Sequence, residues 1–256
     1  MCRLAAYVGS PRPISTLVYD APHSLEVQSY RPRAMLSGHV NVDGTGVAWW
    51  PEPDSDAPLR YATERPPWSD SNLRTLAPHL YGTVHVALVR SATPGMPFGA
   101  ETVGPFVADG LAFAHNGYVE QFDRRVARPL TEDLPEDLFA DLSTRTDSTA
   151  LFALVRAVVR DRPAATLGDC LAEAVARTSE VVRDRGVSAN LSCVLTNGRE
   201  LVALRSAVGM PPNTLHTSSS PDGLRVASEP LDDSSWTPLE PETVFTHELL
   251  LPPSTP

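Results

Sequence analysis

The amino-acid sequence predicts an α+β protein whose β-sheets are covered by layers of helices. β-type runs occupy much of the first half of the 256-residue chain, two long amphipathic helical patterns lie between residues 146 and 186, and β-type runs return after residue 190. The 25 prolines favour many loops over a helical bundle. This block order of strands, helices and strands is typical of sheets covered by helices, so we expect one domain over residues 1–256.

The first half of the chain predicts short helices, one irregular segment and four strands. Residues 13–19 predict a short helix, and residues 20–45, with scattered prolines, glycines and polar groups, predict irregular structure. Asp70 offers an N-cap to a helix with apolar residues at helical spacing after it. Strands are predicted by apolar or β-branched runs at residues 4–8, 46–50, 83–90 and 111–115.

Two helices precede the later strands. Thr146 and Asp147 offer N-caps to a helix with one apolar face, and residues 166–185 repeat that pattern up to Gly186, a suitable C-cap. After these helices the apolar residues recur with a period of two, which is typical of strands. An Asn-Gly pair lies between the first two of these later strands and is a strong hairpin signal. These later strands are predicted at residues 191–196, 201–205, 214–217, 224–228 and 243–246.

Composition excludes several functions. Asp and Glu number 31 against 21 cationic residues, all of them arginine, and the net charge is −10. Without lysine, the chain cannot build a Walker-type phosphate loop, a kinase site or a Schiff-base site. An acidic surface also argues against a nucleic-acid partner, because neutralising phosphates requires a basic face.

Cysteine usage and hydropathy predict a cytoplasmic protein. The three cysteines, Cys2, Cys170 and Cys193, lie far apart and form neither a disulfide framework nor a zinc site. We interpret Cys170 and Cys193 as core residues on apolar faces. The start of the chain has no apolar run typical of a signal peptide. No apolar segment of about 18 residues could span a bilayer, so we expect no membrane partner.

Cys2 is a candidate N-terminal nucleophile. An initiator methionine is removed when the next side chain is small, and the mature chain would then begin with this cysteine. Its α-amine, with an ordinary pKa of ~7.7–8.0, would lie within reach of its own thiol. One residue would thereby supply both nucleophile and base. The alternative interpretation is a small buried residue of the first strand.

Four further elements carry suitable chemistry. Residues 43–46 place two glycines beside a strand, where backbone must come close to another group. Arg90 could bind a carboxylate through two parallel hydrogen bonds. Asn116 and Gly117 could stabilise an oxyanion, and Asp147 could bind an ammonium group. Taken singly, each element has an equally good structural explanation. The glycines of residues 43–46 would form turns and Arg90 a surface ion pair. Asn116 and Gly117 would form a tight turn, and Asp147 would cap a helix.

Together and in this order, these residues resemble the class II glutamine amidotransferase family. Members of that family fold as N-terminal nucleophile hydrolases, so the resemblance implies a four-layer αββα sandwich. The family has an N-terminal Cys followed by DG-x-G, R-x-A-T, H-N-G and T/S-D-S/T elements. The matching residues are Cys2, 43–46, 90–93, 115–117 and 146–148.

The resemblance implies catalytic roles for three residues. Cys2 would attack a γ-glutamyl carbonyl and form a thioester, and Asn116 with Gly117 would form the oxyanion hole. The reaction would be hydrolysis of a linear amide. No metal or organic cofactor is expected, because nucleophile and base come from one residue.

The resemblance also implies a site for a small γ-glutamyl substrate. Arg90 and Thr93 would hold its α-carboxylate, Asp147 would hold its α-ammonium, and His115 is counted with these substrate-binding residues. The sequence departs from the family in one pocket residue, because Thr45 stands where the family usually has Trp.

A second departure concerns histidine. Many amidotransferases have His two residues before the Arg, but Leu88 occupies that position here and His85 lies off register. We therefore give His85 no role and interpret it as a strand histidine.

A narrower resemblance covers nearly the whole chain. Several segments look like the amidohydrolases of ergothioneine biosynthesis, which hydrolyse the γ-glutamyl amide of γ-glutamyl-hercynylcysteine sulfoxide and release glutamate and hercynylcysteine sulfoxide. These segments are residues 1–3, 27–30, 90–93, 95–97 and 227–230, with Asp232, Asp233 and Trp236.

Other functions remain open at this stage. The chain could be a glutaminase subunit that supplies ammonia to a separate synthase, a hydrolase of another γ-glutamyl amide, or a non-catalytic binding protein of the same fold. The sequence does not indicate which residues recognise the leaving amine. The resemblance implies a homodimer only as the family default.

Overall fold

Two antiparallel β-sheets form the centre of the protein. The computed structural model describes residues 1–53, 55–93, 96–142 and 144–249. In these residues the strands are β1 Arg3–Pro13, β2 Thr45–Trp50, β3 Leu59–Thr63, β4 Tyr81–Val89, β5 Phe106–Ala108, β6 Leu111–Val119, β7 Ala189–Thr196, β8 Glu200–Leu204, β9 Ala207–Val208, β10 His216–Ser220, β11 Gly223–Ala227, β12 Thr237–Pro238 and β13 Val244–Glu248.

The helices flank these sheets. Short 3-10 or π-helical turns lie at Thr16–Asp20, Pro67–Ser69, Ala77–His79, Ala100–Thr102 and Phe122–Val126. The α-helices of the described residues are α1 Leu25–Tyr30, α2 Ser71–Leu76, α3 Ala127–Thr131, α4 Glu136–Ala140, α5 Asp147–Asp161 and α6 Leu167–Asp184. None of them is long and apolar enough to cross a bilayer.

The strand order places β1 in the middle of its sheet, whereas β6 lies between β7 and the edge strand β5. The first sheet runs β12-β10-β11-β1-β4-β2-β3, and the second runs β13-β8-β7-β6-β5, with β9 beside β7. β1 pairs with β4 on one side and with β11 on the other. The start of β1 is therefore surrounded by polypeptide, and the residues that precede it are held by both neighbours.

Side chains of β1 alternate between two apolar layers. Leu4, Ala6 and Val8 pack between the two sheets, whereas Ala5 and Tyr7 face the layer that contains α1 and α2. Such alternation follows from the two-residue period of a strand. A third apolar cluster joins the second sheet to α5 and α6. The three clusters separate four layers, which confirms the αββα sandwich that the resemblance implies.

Most strongly patterned elements lie where the sequence predicts them. α5, α6 and the strands predicted in the middle and late parts of the chain are present, with ends that shift by a few residues. β1 and β6 extend beyond the predicted runs at residues 4–8 and 111–115. Gly186 has a φ of 61°, as a glycine that ends a helix requires.

The sequence prediction is wrong for one segment. Residues 20–45, predicted as irregular, contain α1, whose buried face combines Leu25 with the polar residues Gln28 and Ser29. Such a face has no apolar period to recognise. The predicted Asn-Gly hairpin is confirmed, because Thr196 of β7 pairs with Leu201 of β8 across the Asn-Gly pair.

Candidate active site

Cys2 lies directly before β1, beside the end of β4. Arg3 pairs with Val89 across the two strands, which brings the residues after β4 next to the cysteine. The backbone N–H of Ser91 donates to Cys2 Sγ at 3.5 Å, and the thiol lies 3.8 Å from the Ser91 carbonyl oxygen. Cys2 is only 9% exposed, because Met1 precedes it and the 91–93 segment lies against it.

A cavity of about 350 Å³ opens at this position. The ammonium group of Met1 lies in its wall and donates to the Ser37 carbonyl oxygen at 3.1 Å. Burial lowers the pKa of this ammonium group. The residues that line the cavity are Met1, Ser37, Gly38, Ser91, Ala92, Thr93, Gly117 and Tyr118. The cavity thus brings together Thr93 and Gly117, which the sequence predicts for substrate binding and catalysis.

Arg90 is buried directly after β4, and one nitrogen of its guanidinium group is available for a further hydrogen bond. Its backbone N–H donates to the Gly44 carbonyl oxygen at 2.8 Å, and its Nη2 donates to the Pro97 carbonyl oxygen at 3.0 Å. Its Nη1 is buried and has no hydrogen-bond partner among the described residues. A buried guanidinium donor without a partner is costly, so a carboxylate would be bound strongly here.

The Asp-Gly-Thr-Gly element supports the segment that carries Ser91. Asp43 Oδ2 accepts from the Ala92 N–H at 2.7 Å, which fixes the chain beside Cys2. A Cβ on Gly46 would lie 2.2 Å from the Gly104 carbonyl oxygen, so the close approach of backbone requires glycine. Thr45 is fully buried and donates to the Arg65 carbonyl oxygen, away from the residues that line the cavity.

Asn116 and Gly117 lie in the second half of β6. A Cβ on Gly117 would lie 1.8 Å from the Asn190 carbonyl oxygen, which explains the glycine. The Asn116 amide donates to Ser228 Oγ at 3.1 Å, and its Oδ1 accepts from Asn213 Nδ2 at 3.3 Å. An amide nitrogen carries two hydrogens, so one remains for a substrate oxygen.

His115 lies beneath the cavity rather than in its wall. Its Nδ1 lies 2.9 Å from Ser148 Oγ and its Nε2 lies 2.8 Å from the Asn190 carbonyl oxygen. The ring is only 2% exposed and is not among the residues that line the cavity. Both nitrogens are therefore used to join β6 to β7 and to the start of α5.

Asp147 is the first residue of α5, and it does not cap the helix. Thr146 is the N-cap, and its side chain and that of Thr149 each accept from the other residue's N–H. The Asp147 carboxylate instead accepts from the N–H groups of Val119 at 2.9 Å and Ser148 at 2.7 Å. The capping prediction is thus right for Thr146 and wrong for Asp147, whose carboxylate has further lone pairs for a ligand.

Contacts along the chain connect the five predicted elements. Ser228 accepts from the Leu4 N–H at 3.0 Å and from the Asn116 side chain at 3.1 Å, and so joins β1 to β6. The Asp43 and Ser91 contacts join two further elements to Cys2, and the contact of His115 with Ser148 joins the fifth. Gly95, part of one of the recognised segments, lies outside the described residues.

Sequence reasoning missed the polar residues that support the site. Ser228, Asn190 and Asn213 are all fully buried and hold Asn116 or the strand beside it. Isolated Ser and Asn residues at strand ends have no periodic signal. Ser228 was detectable only through the 227–230 segment that looks like the ergothioneine amidohydrolases.

The residues that were given no role lie away from the cavity. Cys170 and Cys193 are buried in the apolar cluster beneath α6, which confirms their interpretation as core residues. Burial raises the pKa of the Cys193 thiol well above its ordinary value. His85 is buried on β4 beside the Tyr7 ring, and burial lowers its pKa to about 4.

The comparisons with known proteins identify the family. Residues 17–218 match the family model of the class II glutamine amidotransferases. This match covers most of the chain, and the protein belongs to that family. The family recognised from the sequence, and with it the prediction of an amide-hydrolysing enzyme, is confirmed.

Two curated relatives resemble nearly the whole chain. The γ-glutamyl-hercynylcysteine sulfoxide hydrolase of Mycolicibacterium smegmatis is 34% identical over 233 residues, which cover 91% of this chain and 89% of that protein. The protein of the same name from Mycobacterium tuberculosis (strain H37Rv) is 34% identical over 237 residues, covering 92% and 87%.

Solved structures show the same fold. A class II glutamine amidotransferase domain protein of Silicibacter pomeroyi superposes with a TM-score of 0.70 at 25% identity, over 96% of this chain and 94% of the other. The glutamine phosphoribosylpyrophosphate amidotransferase of Bacillus subtilis gives 0.62 at 16% identity, covering 98% of this chain and 50% of that one. The second likeness concerns the fold alone.

Proposed function

We propose that the protein hydrolyses the γ-glutamyl amide bond of γ-glutamyl-hercynylcysteine sulfoxide, with Cys2 as the nucleophile. One observation carries the proposal: the Cys2 thiol contacts Ser91, and Ser91 lines a cavity together with Met1, Thr93 and Gly117. The mycobacterial relatives that share 34% of their residues with this chain are named for this reaction.

The proposal requires that Met1 be removed. The Met1 ammonium group lies in the cavity wall, so its removal would expose the amine and thiol of Cys2 to a substrate. The free amine would take the thiol proton, and the thiolate would attack the γ-carbonyl carbon. Asn116 Nδ2 and the Gly117 N–H would donate to the oxyanion that develops.

Collapse of this intermediate would break the C–N bond. The protonated amine of Cys2 would give its proton to the leaving nitrogen, which departs as hercynylcysteine sulfoxide and leaves a γ-glutamyl thioester. The same amine would then take a proton from water as the water attacks the thioester. Glutamate would leave, and the thiol would be restored.

The glutamyl tail would be held by charges on both sides. The unpartnered Nη1 of Arg90 supports binding of the α-carboxylate, with the Thr93 hydroxyl at the cavity wall. Asp147, 8% exposed, would accept from the α-ammonium. His115 would act by holding Asn116 and the start of α5 in place, because both of its nitrogens have protein partners.

The proposed setting follows from the same reasoning. We place the enzyme in the cytoplasm as one domain over residues 1–256, with a small-molecule substrate and with neither nucleic acid nor membrane as a partner. Because the Cys2 thiol and amine supply nucleophile and base, the mechanism uses no metal or organic cofactor. A homodimer, the family default, is the proposed assembly.

The decisive experiment compares leaving groups. Protein with its own Met1 start is incubated with γ-glutamyl-hercynylcysteine sulfoxide, γ-glutamylcysteine or glutamine, and glutamate, released amine and ammonia are measured by mass spectrometry. The proposal expects kcat/KM to be highest for the hercynyl substrate. Preference for glutamine would indicate a glutaminase subunit, preference for γ-glutamylcysteine another amidase, and no turnover a binding protein.

A further inference from the structure

A buried cluster of charges lies directly behind the nucleophile. Arg3, Glu229 and His23 are each at most 2% exposed. Arg3 Nη1 lies 3.2 Å from one Glu229 oxygen, and His23 Nε2 lies 2.7 Å from the other. Ions are rarely taken out of water without a partner, and here each Glu229 carboxylate oxygen has two partners.

The cluster reaches Cys2 through Arg3. The Nε of Arg3 donates to the Cys2 carbonyl oxygen at 2.8 Å while Nη1 binds the carboxylate. A guanidinium is planar and presents its donors in a fixed fork, so anchoring one side fixes the direction of the other. The carboxylate of Glu229 therefore sets where the Cys2 carbonyl, and with it the Cys2 amine and thiol, can lie.

The same carboxylate holds the segment that leads to the wall of the cavity. Its oxygens accept from the N–H groups of Arg33 at 2.8 Å and Ala34 at 3.0 Å. These residues lead to Ser37 and Gly38, which line the cavity, and the Ser37 carbonyl accepts from the terminal ammonium group. One side chain thus contacts both Arg3, which binds Cys2, and the segment that leads into the cavity wall.

Glu229 remains charged at neutral pH. Burial by itself would raise the pKa of its carboxyl group, but the His23 ring, the two backbone N–H groups and Arg3 lower that pKa to about 2. The neighbouring residue, Ser228, contacts Leu4 and Asn116. The chain at 228–229 therefore meets the nucleophile strand, the oxyanion residue and the cavity wall.

We propose that Glu229 is a positioning residue for the hydrolysis, which acts on Cys2 through Arg3 and on the substrate cavity through the Arg33 and Ala34 amides. The proposal rests on the proposed function, in which Cys2 is the nucleophile. It predicts two separate effects. The contact through Arg3 should affect kcat, because it positions the attacking group, whereas the contact with the amides should affect KM, because it shapes the cavity.

The test compares kcat and KM of Arg3→Gln and Glu229→Gln, at a temperature where circular dichroism shows each variant to be folded. Misplacing the nucleophile should lower kcat of Arg3→Gln by about tenfold to a hundredfold and leave its KM within about twofold of wild type. Glu229→Gln should show a similar loss in kcat and also a KM raised several-fold.

Asp232→Asn is the matched control. Asp232 is another carboxylate with an arginine partner on the same stretch of chain, bound by Arg225 Nη1 at 2.5 Å and by Trp236 Nε1 at 3.0 Å, and it has no contact with Cys2 or with the cavity wall among the described residues. Its loss should lower the melting temperature while kcat and KM stay within about twofold of wild type.

Glu229→Gln leaves the Arg3 charge buried without its partner and can fail to fold for that reason alone. The double variant Arg3→Gln/Glu229→Gln removes both charges and is measured in parallel. If the two residues act as one unit, its kcat equals that of Arg3→Gln instead of showing the product of two losses.

Three results would overturn the positioning role. They are a folded Glu229→Gln or double variant with wild-type kcat and KM, a loss in kcat of equal size in Asp232→Asn, and a double variant whose losses multiply. Cys2→Ala separates this proposal from the proposed function. If Cys2→Ala keeps activity, the proposed function fails, whereas inactive Cys2→Ala with an unaffected Glu229→Gln removes the positioning role alone.

Discussion

The two sides of the candidate site are supported by different interactions. Behind Cys2, on the first sheet, the support is ionic and consists of Arg3, Glu229 and His23. Behind Gly117, on the second sheet, the support consists of neutral groups, chiefly the amide side chains of Asn116, Asn190 and Asn213 with Ser228.

Under the proposed function, the difference follows from what each side must do. A free amine and a thiol have to be held at the end of a chain, where backbone pairing is incomplete, and charge-assisted hydrogen bonds supply the stronger restraint. An oxyanion hole needs donors that are already oriented and do not compete with the developing charge, and a neutral amide lattice provides them. Five substitutions or conditions should separate the two sides.

The largest effect is expected at Cys2. Cys2→Ala should abolish hydrolysis and leave the protein folded, because the side chain is small and the loss is chemical. Intact-mass measurement of the active wild-type protein should show Met1 removed and Cys2 as the first residue. Activity within tenfold of wild type in Cys2→Ala, or full activity in protein that retains Met1, would contradict the mechanism.

Asn116→Ala tests the neutral side. Removing one oxyanion donor should lower kcat by on the order of 10²–10³, with a smaller change in KM. Asn197→Ala is the control, because that asparagine accepts the N–H groups of Arg199 and Glu200 in a turn and should affect stability only. A kcat for Asn116→Ala equal to that of the control would remove Asn116 from the oxyanion hole.

Arg90→Lys tests recognition of the α-carboxylate. An ammonium group cannot reproduce the two parallel hydrogen bonds of a guanidinium. We expect a loss in kcat/KM of about 2 kcal/mol or more, equivalent to about thirtyfold. Converting the α-carboxylate of the substrate to an amide should lower kcat/KM in wild type but lower it little in Arg90→Lys. If this conversion lowers kcat/KM by the same factor in both enzymes, Arg90 does not bind the carboxylate.

Asp147→Asn should have a comparable or slightly smaller effect on kcat/KM. Its amide oxygen can still accept from the Val119 N–H, and Thr146 still caps α5, so the fold should persist. Binding of the α-ammonium loses a charge partner, at about 2 kcal/mol. Thr149→Ala, which breaks the capping pair, should lower the melting temperature and spare kcat/KM. Normal kcat/KM in Asp147→Asn would leave Asp147 only its structural contacts.

Acid should weaken the ionic side alone. The pKa of Glu229 is about 2 in the folded protein against an ordinary 4.5. A lowered folded pKa stabilises the protein above pH 4.5, and this contribution is lost as the pH falls toward 2. Urea unfolding at pH 5 and pH 3 should show a smaller pH-dependent loss for Arg3→Gln/Glu229→Gln than for wild type. Asn213→Ala should lower stability by an equal amount at both pH values, because an amide does not titrate.

The sequence predicts the strongly periodic parts of the fold well. α5 and α6 have an apolar face and clear ends, and β7 and β8 alternate around a turn signal. α1 was missed because its buried face is mainly polar, and helix recognition depends on apolar spacing. The edge strand β3 was missed because its residues, half-buried or exposed, are not strongly apolar.

The same distinction applies to the candidate site. The residues proposed to react or bind stand in short motifs with fixed spacing, so the sequence predicts Cys2, Arg90, Asn116 and Asp147 as candidates. The residues that support them belong to distant segments: Glu229 lies 226 positions from Arg3 in the chain. No local pattern relates such a pair.

The sequence by itself determined the class of fold, the family and the candidate site residues, because hydrophobic period and motif spacing are local properties of the chain. Only the tertiary structure decided that His115 lies beneath the cavity, that Thr146 rather than Asp147 caps α5, and that Glu229 joins the nucleophile strand to the cavity wall. These assignments depend on which buried polar groups satisfy one another, and burial is settled by packing among segments far apart in sequence.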